Sequence, residues 1–309
     1  MKKIIKKVPL SLCGVMLSFA ALGNLLQSYG ERIRYACGLV AVFLLVLILL
    51  KFVMFPKMIK EDMQTPIMAS VAGTFPMALM LLSTYIKPFI HTGAKFIWFL
   101  AIGLHLALII YFTIKFILKI QMPKVFASYF IVYVGIVVAS VTAPVFEEIN
   151  IGTYTFWFGF VTLLLLLVFV TIRYIKYKDI PEPAKPLFCI YAAPTSLCIA
   201  GYVQSVTPKS KEFLLTMLFV ATLLYMMSLV KAVGYLKLKF YPSYAAFTFP
   251  FVISAIATKQ TMVCLINMKQ PLPALRYIVF IETMVAIFFV VYTFIRFMQF
   301  IFTNNSANK

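Results

Sequence analysis

Five prolines recur at near-equal intervals, and each opens a long apolar stretch that is followed by a second one. Successive prolines are 57, 57, 63 and 56 residues apart. They are Pro9, Pro66, Pro123, Pro186 and Pro242. Regular self-similarity along a chain is typical of a repeated supersecondary unit. We therefore predict one helical hairpin repeated five times, with the copies forming a ring around an axis.

The apolar stretches are long enough to cross a membrane. The chain is 63% hydrophobic and 12% charged, with a mean hydropathy of +0.99, which excludes an ordinary soluble domain. A spanning helix needs about 20 apolar residues. Ten stretches meet that length: 9–28, 33–55, 66–86, 95–118, 124–145, 151–174, 186–206, 212–234, 242–264 and 273–302.

These stretches should be helices, because lipid offers the backbone no hydrogen-bond partners and barrel strands alternate in polarity. No segment between them is long enough for a separate soluble domain. The predicted fold class is an all-α membrane protein. It has ten transmembrane helices in five hairpins, an inner ring of the five odd-numbered helices, and a single domain over residues 1–309.

The distribution of basic residues predicts the orientation. With alternate loops assigned to the two sides, 19 of the 28 lysines and arginines fall on the side of the N-terminus and nine on the other. The positive-inside rule then places both termini in the cytoplasm, which agrees with an even number of spans. The same rule, with lipid headgroups as partners, explains the net charge of +19 better than nucleic-acid binding does.

The first stretch also has the basic start and apolar run of a secretory signal. That alternative is disfavoured because similar stretches recur four times further along, where none can be a signal.

Odd and even stretches differ in composition. The odd ones carry glycine, alanine, serine and mid-span proline, whereas the even ones are bulky and nearly free of helix breakers. Small residues let helices approach closely, and a broken helix is tolerated only where protein or water lines the break. The contrast favours inner odd helices and outer even ones. The alternative is that proline and glycine are simply common in membrane helices.

The inner helices lack ionisable groups in mid-span, apart from Lys259 toward one end of the ninth. A proton relay inside the membrane would need such groups. His105 and Glu282 lie on even stretches, away from the predicted axis. Packing or a hydrogen bond is the alternative to a functional role for His105, and an ion pair near a helix end or a subunit contact is the alternative for Glu282. No catalytic or metal-binding pattern is present, and the five cysteines fit apolar packing. We expect neither an enzyme nor a cofactor.

Two Thr-Phe-Pro steps suggest a plug. Phe75 precedes Pro76 in the third stretch, and Phe249 precedes Pro250 in the ninth. Pro250 follows Pro242 by eight residues, which is about 12 Å of helix and so near mid-bilayer. A phenylalanine at such a kink can close a pore as a hydrophobic constriction, although core packing is an alternative for both rings.

The chain resembles the tellurite-resistance and dicarboxylate transporter (TehA-like) family, whose relatives include plant guard-cell slow anion channels. The resemblance covers essentially the whole chain. It rests on VPLSLCGVMLSFAALGNLL (8–26), TPIMASVAGTFPMALMLLS (65–83), PLFCIYAAPTSLCIAGY (186–202) and YPSYAAFTFPFVISAIAT (241–258). It implies a homotrimer in the cell inner membrane in which each subunit passes small inorganic or organic anions. Control by long phosphorylated tails, as in plant members, is not implied.

By the same resemblance, a phenylalanine of the ninth helix occludes the pore. The role falls on Phe249, with Phe247 and Phe75 as the other candidates. The expected pore-lining residues are Gly14, Ser70, Thr74, Pro76, Gly135, Pro194, Ser196, Thr248, Pro250 and Ser254. The main alternative function is a proton-coupled carrier of dicarboxylates or oxyanions such as malate, tellurite or sulfite. A membrane enzyme and a non-conducting structural protein are more distant alternatives.

Overall fold

The structure, a computed structural model, describes residues 2–303. This range is helical and contains no β-strand. Lys309, which was counted with the basic residues on the side of the N-terminus, lies outside it. Nine helices in the described range are long and apolar enough to cross a membrane, which agrees with an all-α membrane protein.

We number the apolar helices α1 to α10. Their bounds are α1 Leu12–Tyr29, α2 Glu31–Met54, α3 Pro66–Ile86, α4 His91–Ile117, α6 Ile149–Lys176, α7 Glu182–Ser205, α8 Lys211–Tyr235, α9 Pro242–Asn267 and α10 Leu275–Phe302, while α5 consists of the short segments Tyr129–Tyr133, Val137–Thr142 and Ala143–Phe146.

The fifth stretch is the one that differs from expectation, because it is not a continuous helix over 124–145. Around Gly135 the chain makes three-residue turns, in which the Val137 amide bonds the Val134 carbonyl at 3.0 Å. Glycine and β-branched residues both weaken a helix, and the sequence here is Val-Gly-Ile-Val-Val. Two short polar helices, Lys2–Lys7 and Pro56–Asp62, were also not predicted.

Three of the other inner helices, α3, α7 and α9, are divided into two parts near a proline, whereas α1 is continuous over Leu12–Leu26. In α3, Pro66–Val71 is followed by Thr74–Ile86, and in α7 a 3-10 segment to Ala192 is followed by Ala193–Ser205. In α9 the change occurs between Phe247 and Phe249. Each second part has a proline within its first turns, where a missing N–H costs little but a preceding helical turn would clash with the ring.

Burial separates the two sets of helices. In the most apolar stretch of α1, α3, α7 and α9, 67–89% of the residues are buried, against 28–39% for the even-numbered helices. The even helices expose large side chains such as Leu39, Phe96, Leu165, Val230 and Phe280. An apolar surface of this kind suits a lipid environment.

The odd helices pack on one another in sequence: α1 on α3, α3 on α5, α5 on α7, α7 on α9, and α9 on α1. Each even helix packs on the odd helix that precedes it. Lys7 Nζ donates a 3.1 Å hydrogen bond to the Thr303 carbonyl, so the two ends of the described chain lie on one face. We call this the N-terminal face and the other the opposite face.

Candidate functional site

Two cavities lie between the odd helices. The first, which we call the inner cavity, has a volume of about 60 Å³. All five odd helices or the segments that lead into them contribute to it. Its lining residues are Ser11, Gly14, Leu17, Val71, Thr74, Met77, Phe130, Ile131, Val134, Gly135, Leu187, Ile190, Ala193, Pro194, Leu197, Ser243, Ala245, Ala246, Phe249 and Pro250.

The second cavity, which we call the vestibule, is larger at about 400 Å³ and lies toward the opposite face. The odd helices supply most of its wall, and α2 contributes Arg34. Its lining residues are Ala21, Asn24, Leu25, Gln27, Arg34, Leu81, Thr84, Val138, Val141, Thr142, Val145, Leu197, Val203, Gln204, Phe249, Ile253, Ile256, Lys259, Gln260 and Val263.

Phe249 and Leu197 line both cavities. Phe249 is 7% exposed and Leu197 is 3% exposed, so both side chains are buried in the helix bundle. Pro250 follows Phe249 at the start of the second part of α9. These two apolar side chains are therefore common to the walls of the inner cavity and the vestibule.

The other two candidate gates have different surroundings. Phe247 is fully buried, with its ring centroid 4.8 Å from that of Tyr244 and 5.8 Å from that of Phe289 on α10. Phe75 packs against Phe52 of α2, with 5.1 Å between centroids. Both rings face even helices, and neither residue lines the inner cavity or the vestibule.

The expected pore-lining residues divide into two groups. Five of them line the inner cavity: Gly14, Thr74, Gly135, Pro194 and Pro250. The remaining five, Ser70, Pro76, Ser196, Thr248 and Ser254, line neither the inner cavity nor the vestibule.

The serines and threonine of the second group are bonded within the helix bundle. Ser70 Oγ donates to the Ile67 carbonyl at 2.8 Å, and Thr248 Oγ1 donates to the Ala245 carbonyl at 2.7 Å. The hydroxyls of Ser196 and Ser254 lie 3.2 Å apart, in a small void that Glu282 of α10 also lines. These hydroxyls satisfy main-chain carbonyls near helix breaks.

Several residues of the cavities were not predicted from the sequence. Leu197 is one leucine among many, and Arg34 resembles an ordinary basic residue at a span end. Only Ser11 and Ser243 could have been suspected from the sequence, since each follows one of the five regularly spaced prolines, Pro9 or Pro242, by one or two residues. Their side-chain oxygens are buried and have no hydrogen-bond partner within residues 2–303.

Helix ends are the main polar feature of the inner cavity, because no ionisable side chain of the described chain lines it. The α-helical segments Leu12–Leu26, Thr74–Ile86, Ala193–Ser205 and Phe249–Asn267 all begin at or near residues that line it. The aligned peptide dipoles of a helix give its N-terminus the equivalent of about half a positive charge. In these segments the first N–H groups bond carbonyls of the preceding turn, as Gly14 N does to the Ser11 carbonyl at 2.9 Å, so the dipoles and not free N–H groups carry the effect. None of the residues that line the inner cavity or the vestibule in the described chain is acidic.

His105 and Glu282 lie away from these cavities. His105 is fully buried on α4, and its Nε2 lies 2.9 Å from the Val132 carbonyl oxygen at the break in α5. Because a carbonyl only accepts, Nε2 carries the proton. His105 therefore stabilises the interrupted backbone of α5 from outside. Among residues 2–303, no cluster of three or more histidine, cysteine, aspartate or glutamate side chains is placed to hold a metal ion.

Comparison with known proteins identifies the family. No curated protein sequence matches the chain. The family model described as voltage-dependent anion channel (SLAC1) matches residues 7–298, which include all the helices that line the two cavities. The chain belongs to the voltage-dependent anion channel family.

Proposed function

We propose that this protein is an anion channel or facilitative transporter in which small anions pass between the vestibule and the inner cavity when Phe249 moves. The observation that carries the proposal is the position of Phe249, which lines both cavities on a broken helix. The pairwise contacts of the five odd helices support a ring around this passage. In that ring the even helices form an outer layer, which gives ten spans in five hairpins.

Passage of anions is favoured by groups that carry partial positive charge. Four half-helix N-termini begin beside the inner cavity, and the Ser11 and Ser243 hydroxyls have a proton to donate. Half-helix N-termini of this kind bind anionic groups in other transporters. A cation would meet the same dipoles unfavourably, and no carboxylate of the lining offsets them.

We propose that Phe249 closes the passage as a hydrophobic constriction together with Leu197, which lines the same two cavities. An apolar ring in a narrow passage excludes water and therefore hydrated ions. The inner cavity is too small for a hydrated anion and its shell, having room for only a few waters at about 60 Å³. The described conformation is accordingly assigned to a closed state.

The remaining features of the proposal come from the family resemblance and the basic residues. They are a homotrimer with one passage per subunit, location in the cell inner membrane, and both termini in the cytoplasm. The substrates would be small inorganic or organic anions. The oligomeric state can be measured by native mass spectrometry of the detergent-purified protein. We expect the mass of three copies, and a monomer would contradict the proposed homotrimer.

The competing function is a proton-coupled carrier of dicarboxylates or oxyanions. The two functions are separated by the reversal potential of currents through Phe249→Ala protein in planar bilayers. For a channel, we expect the potential to follow the gradient of chloride or nitrate and to be unchanged by a pH gradient. A reversal potential that follows the proton gradient, with malate as the transported anion, would favour the carrier.

A further inference from the structure

Lys259, the ionisable residue toward one end of the ninth apolar stretch, is a cation of the vestibule lining. It lies on α9 ten residues after Phe249, which corresponds to about 15 Å along the helix. It is half-buried and lines the vestibule. Its charge is therefore held between the gate and the opposite face.

The hydrogen bonds of Lys259 leave part of its ammonium group available. Nζ donates to the Leu25 carbonyl at 2.8 Å and to Ser28 Oγ at 2.6 Å. An ammonium group has three donors, so one remains after these two bonds. The two partners hold the group at the end of α1, where carbonyls of the last turn otherwise lack a partner.

The charge of Lys259 is not paired with a carboxylate. The ion pairs formed within residues 2–303 are Arg34–Glu31, Lys87–Glu147 and Lys95–Glu148, and none includes Lys259. Arg34, the other cation of the vestibule, lies 3.5 Å from the Glu31 carboxylate, which partly offsets its charge. Lys259 is thus the main uncompensated charge of this cavity.

The rest of the vestibule suits an anion. Side-chain amides of Asn24, Gln204 and Gln260 line it and supply N–H donors, whereas Gln27 Nε2 donates to the Glu31 carboxylate at 2.6 Å. A further cavity shares Arg34 and Thr84 with the vestibule and is also lined by Lys87 and His91, which extends the path toward the opposite face. At about 400 Å³ the vestibule holds a small anion together with several waters.

We propose that the vestibule is an anion-binding site, centred on Lys259, that fills from the opposite face while Phe249 keeps the passage closed. Its ligand is a small inorganic anion or a carboxylate, bound by the free ammonium donor and by neighbouring amides. This site raises the local anion concentration next to the gate. The inference rests on the proposed function, because it assigns the capture step of the same passage.

The test uses a cysteine reporter and does not require conduction. Ile256→Cys places a thiol on the vestibule wall between Phe249 and Lys259. The rate at which this thiol reacts is measured with an anionic and with a cationic methanethiosulfonate of similar size. Each rate is divided by the rate of the same reagent with a small free thiol in solution, and the corrected rate ratio is the anionic value divided by the cationic value. The parent protein, treated in the same way, reports the five native cysteines, of which all but Cys37 are buried.

We expect the corrected rate ratio to favour the anionic reagent at low ionic strength. Lys259→Gln should lower it by about three- to tenfold, the effect of one partly screened charge at short range. Lys259→Arg should keep the ratio, and 1 M salt should remove most of the difference between variants, since the screening length is then about 3 Å. Added nitrate should slow the anionic reagent by occupying the site. A ratio that Lys259→Gln leaves unchanged would overturn the inference.

A second measurement applies to protein in which the gate is open. With Phe249→Ala, the chloride concentration that half-saturates flux entering from the vestibule side should rise about threefold or more when Lys259→Gln is added, because capture is weaker. An unchanged value would also count against the site. If Phe249→Ala conducts and both Lys259 effects are missing, only this inference fails. If no variant conducts but the labelling ratio responds, the proposed function fails and the binding site remains.

Discussion

Phe249 of α9 and Leu197 of α7 are the residues shared by the linings of the inner cavity and the vestibule. Both are apolar and nearly inaccessible, at 7% and 3% exposure. Each belongs to a helical segment that begins at a break and carries a proline in its first turns. After each of these two helix breaks, the helix thus contributes one apolar side chain to the walls of both cavities.

The first prediction concerns Phe249. Replacing it with alanine removes the ring and keeps Pro250 and the helix break, so anion conductance in bilayers or liposomes should rise by about tenfold or more as the apolar constriction widens. Selectivity for anions over cations should remain, because the half-helix N-termini are unchanged. Leu197→Ala should raise conductance less, since a smaller side chain is lost.

Phe247→Ala is the matched control for the gate. This ring contacts Tyr244 and Phe289 and lines neither cavity, so its loss should lower thermal stability without opening the passage. Conductance that rises in Phe247→Ala and stays at the wild-type level in Phe249→Ala would move the gate by two residues. No change in either folded variant would exclude a phenylalanine gate on this helix.

The membrane helices were predictable because hydropathy is a local property of the sequence. The bounds of the nine long helices lie within about four residues of the expected stretches. The break in α5 was not predicted. Glycine is common in membrane helices, and whether one interrupts a helix depends on neighbours such as His105, which is 27 residues away from Val132 in the sequence.

The family resemblance favoured the ninth helix for the proposed gate, but the sequence could not decide between Phe247 and Phe249. Phe247 and Phe249 are two residues apart, and which of them faces the cavities depends on the backbone between them. At Thr248 the chain changes from a 3-10 segment to an α-helix, with φ −102° and ψ −87°. Sequence does not fix the residue at which such a change occurs. The same reason explains why Ser196 and Ser254 were expected on the passage but bond elsewhere.

The second prediction concerns packing between α5, α6 and α7. A Cβ on Gly152 would clash with the Ser205 side chain and come within 2.7 Å of Ala143 Cβ. The Gly152 carbonyl also accepts a 2.6 Å hydrogen bond from Ser140 Oγ. Gly152→Ala should therefore lower the free energy of unfolding by about 1–3 kcal/mol, seen as a lower melting temperature in detergent.

Gly103→Ala is the control for this prediction. Gly103 is exposed on α4, and a Cβ there meets no atom of the described chain within 4 Å. Alanine should be neutral or stabilise by about 0.5–1 kcal/mol, because it favours the helix more than glycine does. Equal melting temperatures for the two variants would mean that the α5–α6–α7 contact is looser than described.

The third prediction concerns His105. His105→Ala removes the 2.9 Å hydrogen bond to the Val132 carbonyl. It also leaves a void beside Gly135, because the imidazole packs against the Cα of that glycine. We expect the free energy of unfolding to fall by about 2–4 kcal/mol, from the unpaired carbonyl and the lost packing together. His105→Gln keeps an N–H donor and should recover part of this loss. Equal melting temperatures for the alanine and glutamine variants would show that the hydrogen bond contributes nothing.

The fourth prediction concerns orientation in the membrane. The excess of basic residues on the N-terminal face predicts that this face is cytoplasmic. Asn150 is exposed at the start of α6 on the opposite face, and Lys178 is exposed after the end of the same helix. In intact cells, a membrane-impermeant thiol reagent should therefore label Asn150→Cys and should label Lys178→Cys only after the membrane is opened.

The two cysteines lie at the two ends of one helix of 28 residues, so they should report opposite sides of the membrane. The parent protein reports labelling of the native cysteines. Labelling of Lys178→Cys alone in intact cells would place the vestibule on the cytoplasmic side and reverse the orientation. In the predicted orientation, Lys259 instead faces the outside, and the proposed anion site would load from there before the passage opens.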